Sequence, residues 1–287
     1  LKLIAKPAFA APSDGSAITL QSPGVVALFS VYSLVSIVSC IGMMFVPEVR
    51  TKPKKVKVPW YTKLVSVLKL LFTDVKVVLL GPAQACFGFC AELMGLFVSV
   101  EIAKCSNNFG EDILPNLPWL ATSIPALAAI LQVPVGLLVK SCGNKAVAGM
   151  MILGQLAFIA IGAICIWISR NELAGWGYTI FILYILQGIG RAAYEGANRA
   201  TYGSMFSEDD SAAAFASITL FSGVASTIAY AVFKDLLYAP DVENCTYDGE
   251  AVKNYDGATM GWVCFITGIT GLVGYLIAFT IDQNSKK

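Results

Sequence analysis

Apolar runs of about twenty residues recur seven times along this chain, near residues 24–46, 77–101, 118–139, 146–169, 176–202, 212–233 and 259–281. Each is long enough to cross a ~30 Å hydrocarbon core as a helix. Backbone amides find no water at that depth, so the pattern demands helices whose hydrogen bonds close within each segment. Composition agrees: 56% of residues are hydrophobic and 14% charged, with a mean hydropathy of +0.69. A soluble domain with a polar surface does not reach that balance. The expectation is an all-α polytopic membrane protein of about seven transmembrane helices, in contact with the lipid bilayer.

The 287 residues contain no histidine. This removes histidine bases, histidine-ligated zinc or haem, and nucleophiles activated by imidazole, so no enzyme activity and no catalytic residue is expected. Eight cysteines are present without a CxxC spacing, and most sit in apolar runs where buried thiols are ordinary packing. Cys86 and Cys90 lack further ligands in the sequence around them, so neither a metal nor another cofactor is expected. A net charge of +1 gives no case for nucleic-acid binding.

The basic residues cluster. The stretch between the first two runs carries Arg50, Lys52, Lys54, Lys55, Lys57, Lys63 and Lys69, which by the positive-inside rule marks it as cytoplasmic. The remaining organisation follows by alternation. Residues 1–23 form a far-side amino-terminal segment, 24–46 the first transmembrane helix, 47–76 a basic cytoplasmic linker, 77–281 a six-helix bundle and 282–287 a cytoplasmic tail. Within the linker Trp60, Leu64, Leu68 and Leu71 recur at helical spacing between lysines, as in a helix lying in the membrane interface. The chain opens on Leu1 without a signal-peptide pattern and reads as the later part of a longer or processed chain.

The acidic far-side loop before the last run contains Asn244-Cys245-Thr246, a glycosylation sequon on a secretory route. Cys105 and Cys245 share that side and could pair in an oxidising compartment.

An odd number of spans with a long basic connector after the first resembles the last helix of one half, the central loop and the complete second six-helix half of a major facilitator superfamily protein. The loop GLLVKSCGNK is similar to the superfamily's gate signature G-x-L-x-D-x-x-G-R-K/R, with Gly136, Leu138, Gly143 and Lys145 in register. Lys140 stands where the signature has its acidic latch residue and Asn144 where it has arginine. The stretch from Gly190 to Phe206 resembles the Unc-93-like family of ion-channel regulators, whose pattern G-D-A-x-W-x-x-x-x-N-A-x-Y-G-x-x-F aligns with Gly190, Ala192, Tyr194, Ala200, Tyr202, Gly203 and Phe206. Ala213, Ala214, Phe215, Leu220 and Phe221 continue the match. Arg191 replaces the family's acidic residue, Arg199 its asparagine and Thr219 a later arginine, so the polar track is kept in position and changed in charge.

A lone charge at the bilayer centre costs about 2.5 to 3.5 kcal/mol on insertion scales. Arg191 therefore faces the bundle interior or a partner, and Glu195, four residues on, is its expected counter-ion. Arg199 lies nearer the cytoplasmic end, where it can snorkel. Ala192, Gly196 and Ala200 recur every four residues, the spacing of a flat stripe for close helix contact. Glu92 is either a cation or proton site shared with Tyr194 or Glu195, or a half-exposed acid at the far-side rim. Pro125 and Pro134 are expected to break the third span at two points.

Three functions compete at this stage. The Unc-93-like resemblance implies a regulatory or scaffolding partner of channels or receptors, in the plasma membrane or an endomembrane. A secondary transporter would bind an anionic group on Arg191 and couple to protons through Glu195 or Glu92. A structural accessory subunit of a larger membrane complex would have its open face covered by partner proteins or lipid, with any pigment held by ligands other than histidine.

Overall fold

The computed structural model describes residues 30, 33, 34, 37, 60–103, 117–207, 210–237 and 257–285. The amino-terminal segment, nearly all of the first span, the linker before Trp60, and Asn244, Cys105 and Cys245 lie outside the described residues.

The described residues are helical throughout, without a strand. Helix α1 spans Trp60–Thr73 and ends against Asp74, whose carboxylate accepts the Lys76 amide at 2.8 Å and caps α2, Val75–Glu92. From Leu93 to Ala103 the same rod continues in wide π turns. Helix α3 is Leu117–Cys142 and α4 is Asn144–Trp167, followed by a short α5, Arg170–Gly175. After a 3-10 turn, Gly177–Ile180, α6 runs Phe181–Ala192, passes through a π segment at Ala193–Asn198 and resumes as α7, Arg199–Met205. Helices α8, Ser211–Leu237, and α9, Gly257–Ser285, complete the bundle. Five of these helices are long and apolar enough to cross a membrane, which makes this a multi-pass membrane protein. The α6 to α7 rod is comparable in length but is parted by the π segment and carries Arg191, Glu195 and Arg199.

Around the bundle α8 packs on α2, α2 on α9, α9 on α4, α4 on α6, and α6 on α3. Small residues set the closest approaches. A Cβ placed on Gly162 of α4 would lie 2.8 Å from the Gly261 carbonyl of α9, and one on Gly261 2.9 Å from the Gly162 carbonyl. These two helices touch backbone to backbone, as membrane helices do where apolar side chains gain nothing by leaving lipid.

The apolar core is split into two clusters. One gathers Leu70, Val77, Leu80, Val147, Met151, Ala214 and Tyr275, and the other Cys86, Cys90, Phe158, Ile161, Tyr184, Met260 and Cys264. Between them, on four different helices, sit Gln84, Gln155, Gln187 and Ser222, all buried. A polar waist crosses the middle of the bundle.

Two expectations need correction. Pro125 and Pro134 do not break the third span, since α3 is one continuous helix with both inside it. In lipid no water rewards an opened helix, so the turn stays shut around each missing donor. The span expected over 176–202 is not one uniform helix but a 3-10 turn and two α-helices joined by π turns. Helix α1 stands where the linker was expected to hold a helix, with Leu70 buried, Val67 and Leu71 packed against the core and Leu68 exposed.

Candidate functional site

The polar waist is organised by the π segment of the α6 rod. A π turn carries an extra residue and bonds i to i+5. At its entry the Ala192 carbonyl is also met by the side chain of Gln132 from α3, whose Nε2 donates to it at 2.9 Å. Gly196 lies flush against the same amide, and a Cβ there would meet Nε2 at 2.9 Å. Only glycine leaves room for Gln132 to reach that carbonyl.

Two residues later Asn198 pairs with Gln84 of α2. Each amide donates to the other's oxygen at 2.8 Å, and both side chains are buried. Such a reciprocal pair satisfies one donor and one acceptor on each side, the condition for burying amides away from water. Tyr194, between these anchors, stacks on Phe87 with ring centroids 3.7 Å apart and planes 6° from parallel. Its hydroxyl donates to Ser222 Oγ of α8 at 2.9 Å, and that serine donates back to the Ile218 carbonyl of its own helix. Tyrosine thus ties α6, α2 and α8 together at one level.

On the same rod Arg191 Nε donates to Glu195 Oε1 at 2.8 Å, the i, i+4 pair expected from spacing. The two side chains remain 38% and 40% exposed, so the pair lines a face of the bundle and is not sealed within it. Arg199 does not join them and is exposed one turn on. The π segment displaces it by one residue of rotation, about 100°. The same displacement undoes the small-residue stripe: Ala192 is buried, Gly196 half-buried and Ala200 exposed.

Glu92 stands where α2 turns from α to π geometry and is half-buried. Among the described residues no hydrogen bond joins it to Tyr194 or Glu195, so the shared acidic site is not assembled. The gate-motif residues Gly136, Lys140, Gly143 and Lys145 are all exposed where α3 meets α4. Gly143 is the whole connection, with φ 57° and ψ −138°, a conformation that only glycine adopts without strain.

A cavity of about 150 Å³ opens beside the ion pair, walled by Phe87, Met94, Gly95, Ile124, Gln187 and Arg191 among others. At its edge Ser99 donates to the Met94 carbonyl at 2.8 Å and shares a hydrogen bond with the Tyr184 hydroxyl at 2.9 Å. A second space of about 10 Å³, room for one water molecule, touches Gln84, Gln155, Tyr194 and Asn198. An apolar groove of about 710 Å³ runs along α8, from Ala216 to Ile228. Among the described residues no charged side chain lines that groove.

Cys86, Cys90, Cys165 and Cys264 are buried free thiols, and Cys90 lies within hydrogen-bonding reach of Cys86 and Cys264. The fold thus brings a third thiol to the two noted in the sequence. Among the described residues, no group of three or more side chains is arranged to hold a metal ion.

Sequence reasoning found the charged pair and overlooked the neutral amides. Gln84, Gln132, Gln155 and Gln187 each stand alone in an apolar run, Asn198 sits beside the charges already noted, and a buried amide in lipid needs a partner as surely as a charge does. That was the available signal.

Comparison with known proteins gave no match: neither a family model, nor a curated protein, nor a solved structure matches this chain.

Proposed function

We propose that this chain is a non-enzymatic membrane protein that serves as a regulatory or scaffolding partner of another membrane protein, as its resemblance to the Unc-93-like branch of the major facilitator superfamily implies. One observation supports this above the others. The Arg191–Glu195 pair lies on the rod at mid-bundle with both side chains more than a third exposed. Pairing lowers the cost of two charges, but their remaining hydrogen-bonding groups find nothing in hydrocarbon. The face that carries them is therefore covered by another protein body, and the charges supply the specificity of that contact.

The test is native mass spectrometry of the gently solubilised protein beside an Arg191→Ala/Glu195→Ala double variant. The reading expects the unaltered chain in a larger assembly, which the double variant leaves without loss of its own fold. A solitary chain that catalyses solute flux in vesicles, with flux lost in Arg191→Ala, would replace it with the second reading, a secondary transporter. The 150 Å³ cavity beside Arg191 is what favours that alternative. A constant set of partners in fixed ratio would place the chain as an accessory subunit of a stable complex.

A further inference from the structure

The Arg191–Glu195 pair leaves polar groups over. Arg191 commits Nε to Glu195 Oε1, and among the described residues its two terminal nitrogens and Glu195 Oε2 meet no hydrogen-bond partner. Both side chains keep more than a third of their surface open. Whatever covers them in the bilayer has to offer an acceptor to the guanidinium and a donor to the carboxylate. It has to do so without net charge, because the pair is already neutral and an uncompensated charge at that depth is costly.

The surroundings of the pair are open as well. Arg191 lies in the wall of a half-open hollow shared by α2, α3 and the α6 rod. In order round the bundle α3 and α8 stand at the two ends, and they do not close the ring by packing on each other. Of the five long spans α3 is the least covered: 6% of its apolar stretch is buried, against 33% to 56% in the other four.

A second copy of this chain meets these requirements. Two copies inserted the same way and related by a two-fold axis along the bilayer normal hold their pairs at one depth. Arg191 and Glu195 differ in height by roughly 6 Å, four residues at 1.5 Å each. Nε already bridges that rise within one copy, so a terminal nitrogen can bridge it across the axis to Glu195 Oε2 of the other. The outcome is an alternating ring of Arg191, Glu195 and their two images, closed by two equivalent bonds and neutral throughout. Each copy supplies the donor and the acceptor that the other lacks.

We propose, on the reading that this face is a protein contact, that the body covering it is a second copy of the chain, in a two-fold dimer centred on that four-residue ring.

The experiment co-expresses two differently tagged forms of the full chain, captures one tag after gentle solubilisation and weighs what is held by native mass spectrometry. Unaltered copies are expected to capture each other as a particle of two chains. Arg191→Ala leaves only Glu195, and Glu195→Ala leaves only Arg191. Either variant paired with itself sets like charges together and should lose capture about tenfold, the worth of two polar contacts between membrane helices. Co-expressed, the two variants regain an Arg191–Glu195 bond across the interface while the bond within each chain stays broken. Their mutual capture should exceed either self-capture about tenfold, which a pair acting only within its own chain cannot produce. Mutual capture no better than self-capture would overturn the ring. A particle holding one copy of this chain and a different protein would overturn the second copy and leave the partner reading in place, whereas a solitary unaltered chain would remove both. The unaltered protein decides these last two outcomes even if a variant fails to fold.

Discussion

Replacing Asn198 with leucine strands both polar ends of Gln84 in a site with no exposed surface. Leaving a buried amide unpaired costs about 1 to 3 kcal/mol, and the single variant should lose stability in that range. Gln84→Leu strands Asn198 in turn and should cost a similar amount. The double variant removes both amides, so nothing is left unpaired and the losses should not add. Polar pairs between membrane helices average about 0.6 kcal/mol and reach about 1.7, because the separated helices also find partners. Two reciprocal bonds at 2.8 Å then give an expected coupling of about 1 to 2 kcal/mol. Equilibrium unfolding in mixed micelles, followed by far-ultraviolet circular dichroism across the four proteins of the cycle, measures it. A coupling within about 0.5 kcal/mol of zero would mean that the waist is held by packing and that the pair is incidental.

Other consequences are as accessible. Gly143→Val should destabilise the protein by about 1 to 3 kcal/mol, because its φ of 57° is forbidding to a branched side chain, and thermal unfolding in detergent reads the loss. Cys142 is exposed at the end of α3 while Cys86, Cys90, Cys165 and Cys264 are buried. With Cys40, Cys105 and Cys245 changed to serine, an impermeant maleimide should label one site, from the side that bears the basic linker. Labelling from the opposite side would invert the topology. The α5 turn starts with a capping box in which the Ser169 amide and hydroxyl hold the Glu172 carboxyl below the usual carboxylate range. A depressed carboxylate stabilises the folded turn above its unfolded pKa and ceases to as pH falls through the folded one. Protection of the Glu172 amide, taken against the intrinsic exchange rate at each pH, should therefore fall on acidification through and below the ordinary carboxylate range. Glu172→Gln should remove that dependence.

How much of this was legible in the sequence depends on how local the cause is. Helix length against bilayer thickness is a local property, so the apolar runs from residue 77 onward foretold rods where rods are found. The Arg191–Glu195 bond was equally legible, since four residues on one helix fix the distance. The π segment was not, because the contacts around it come from other helices, among them Gln132, sixty residues away, on the Ala192 carbonyl. Once that extra residue was missed, the stripe of small residues could not be carried past it, and it ends with Ala200 exposed. Proline misled for the opposite reason: its effect is local in water, whereas the surroundings of α3 are not water.

The one-residue turn at Gly143 bears on how the protein is made. With nothing but a glycine between Cys142 and Asn144, α3 has no tether that would let it settle while α4 still waits outside. The two must enter the bilayer as a preformed hairpin, delivered together by the insertion machinery. Lengthening that single link by a flexible insertion would separate two events that the native chain performs as one.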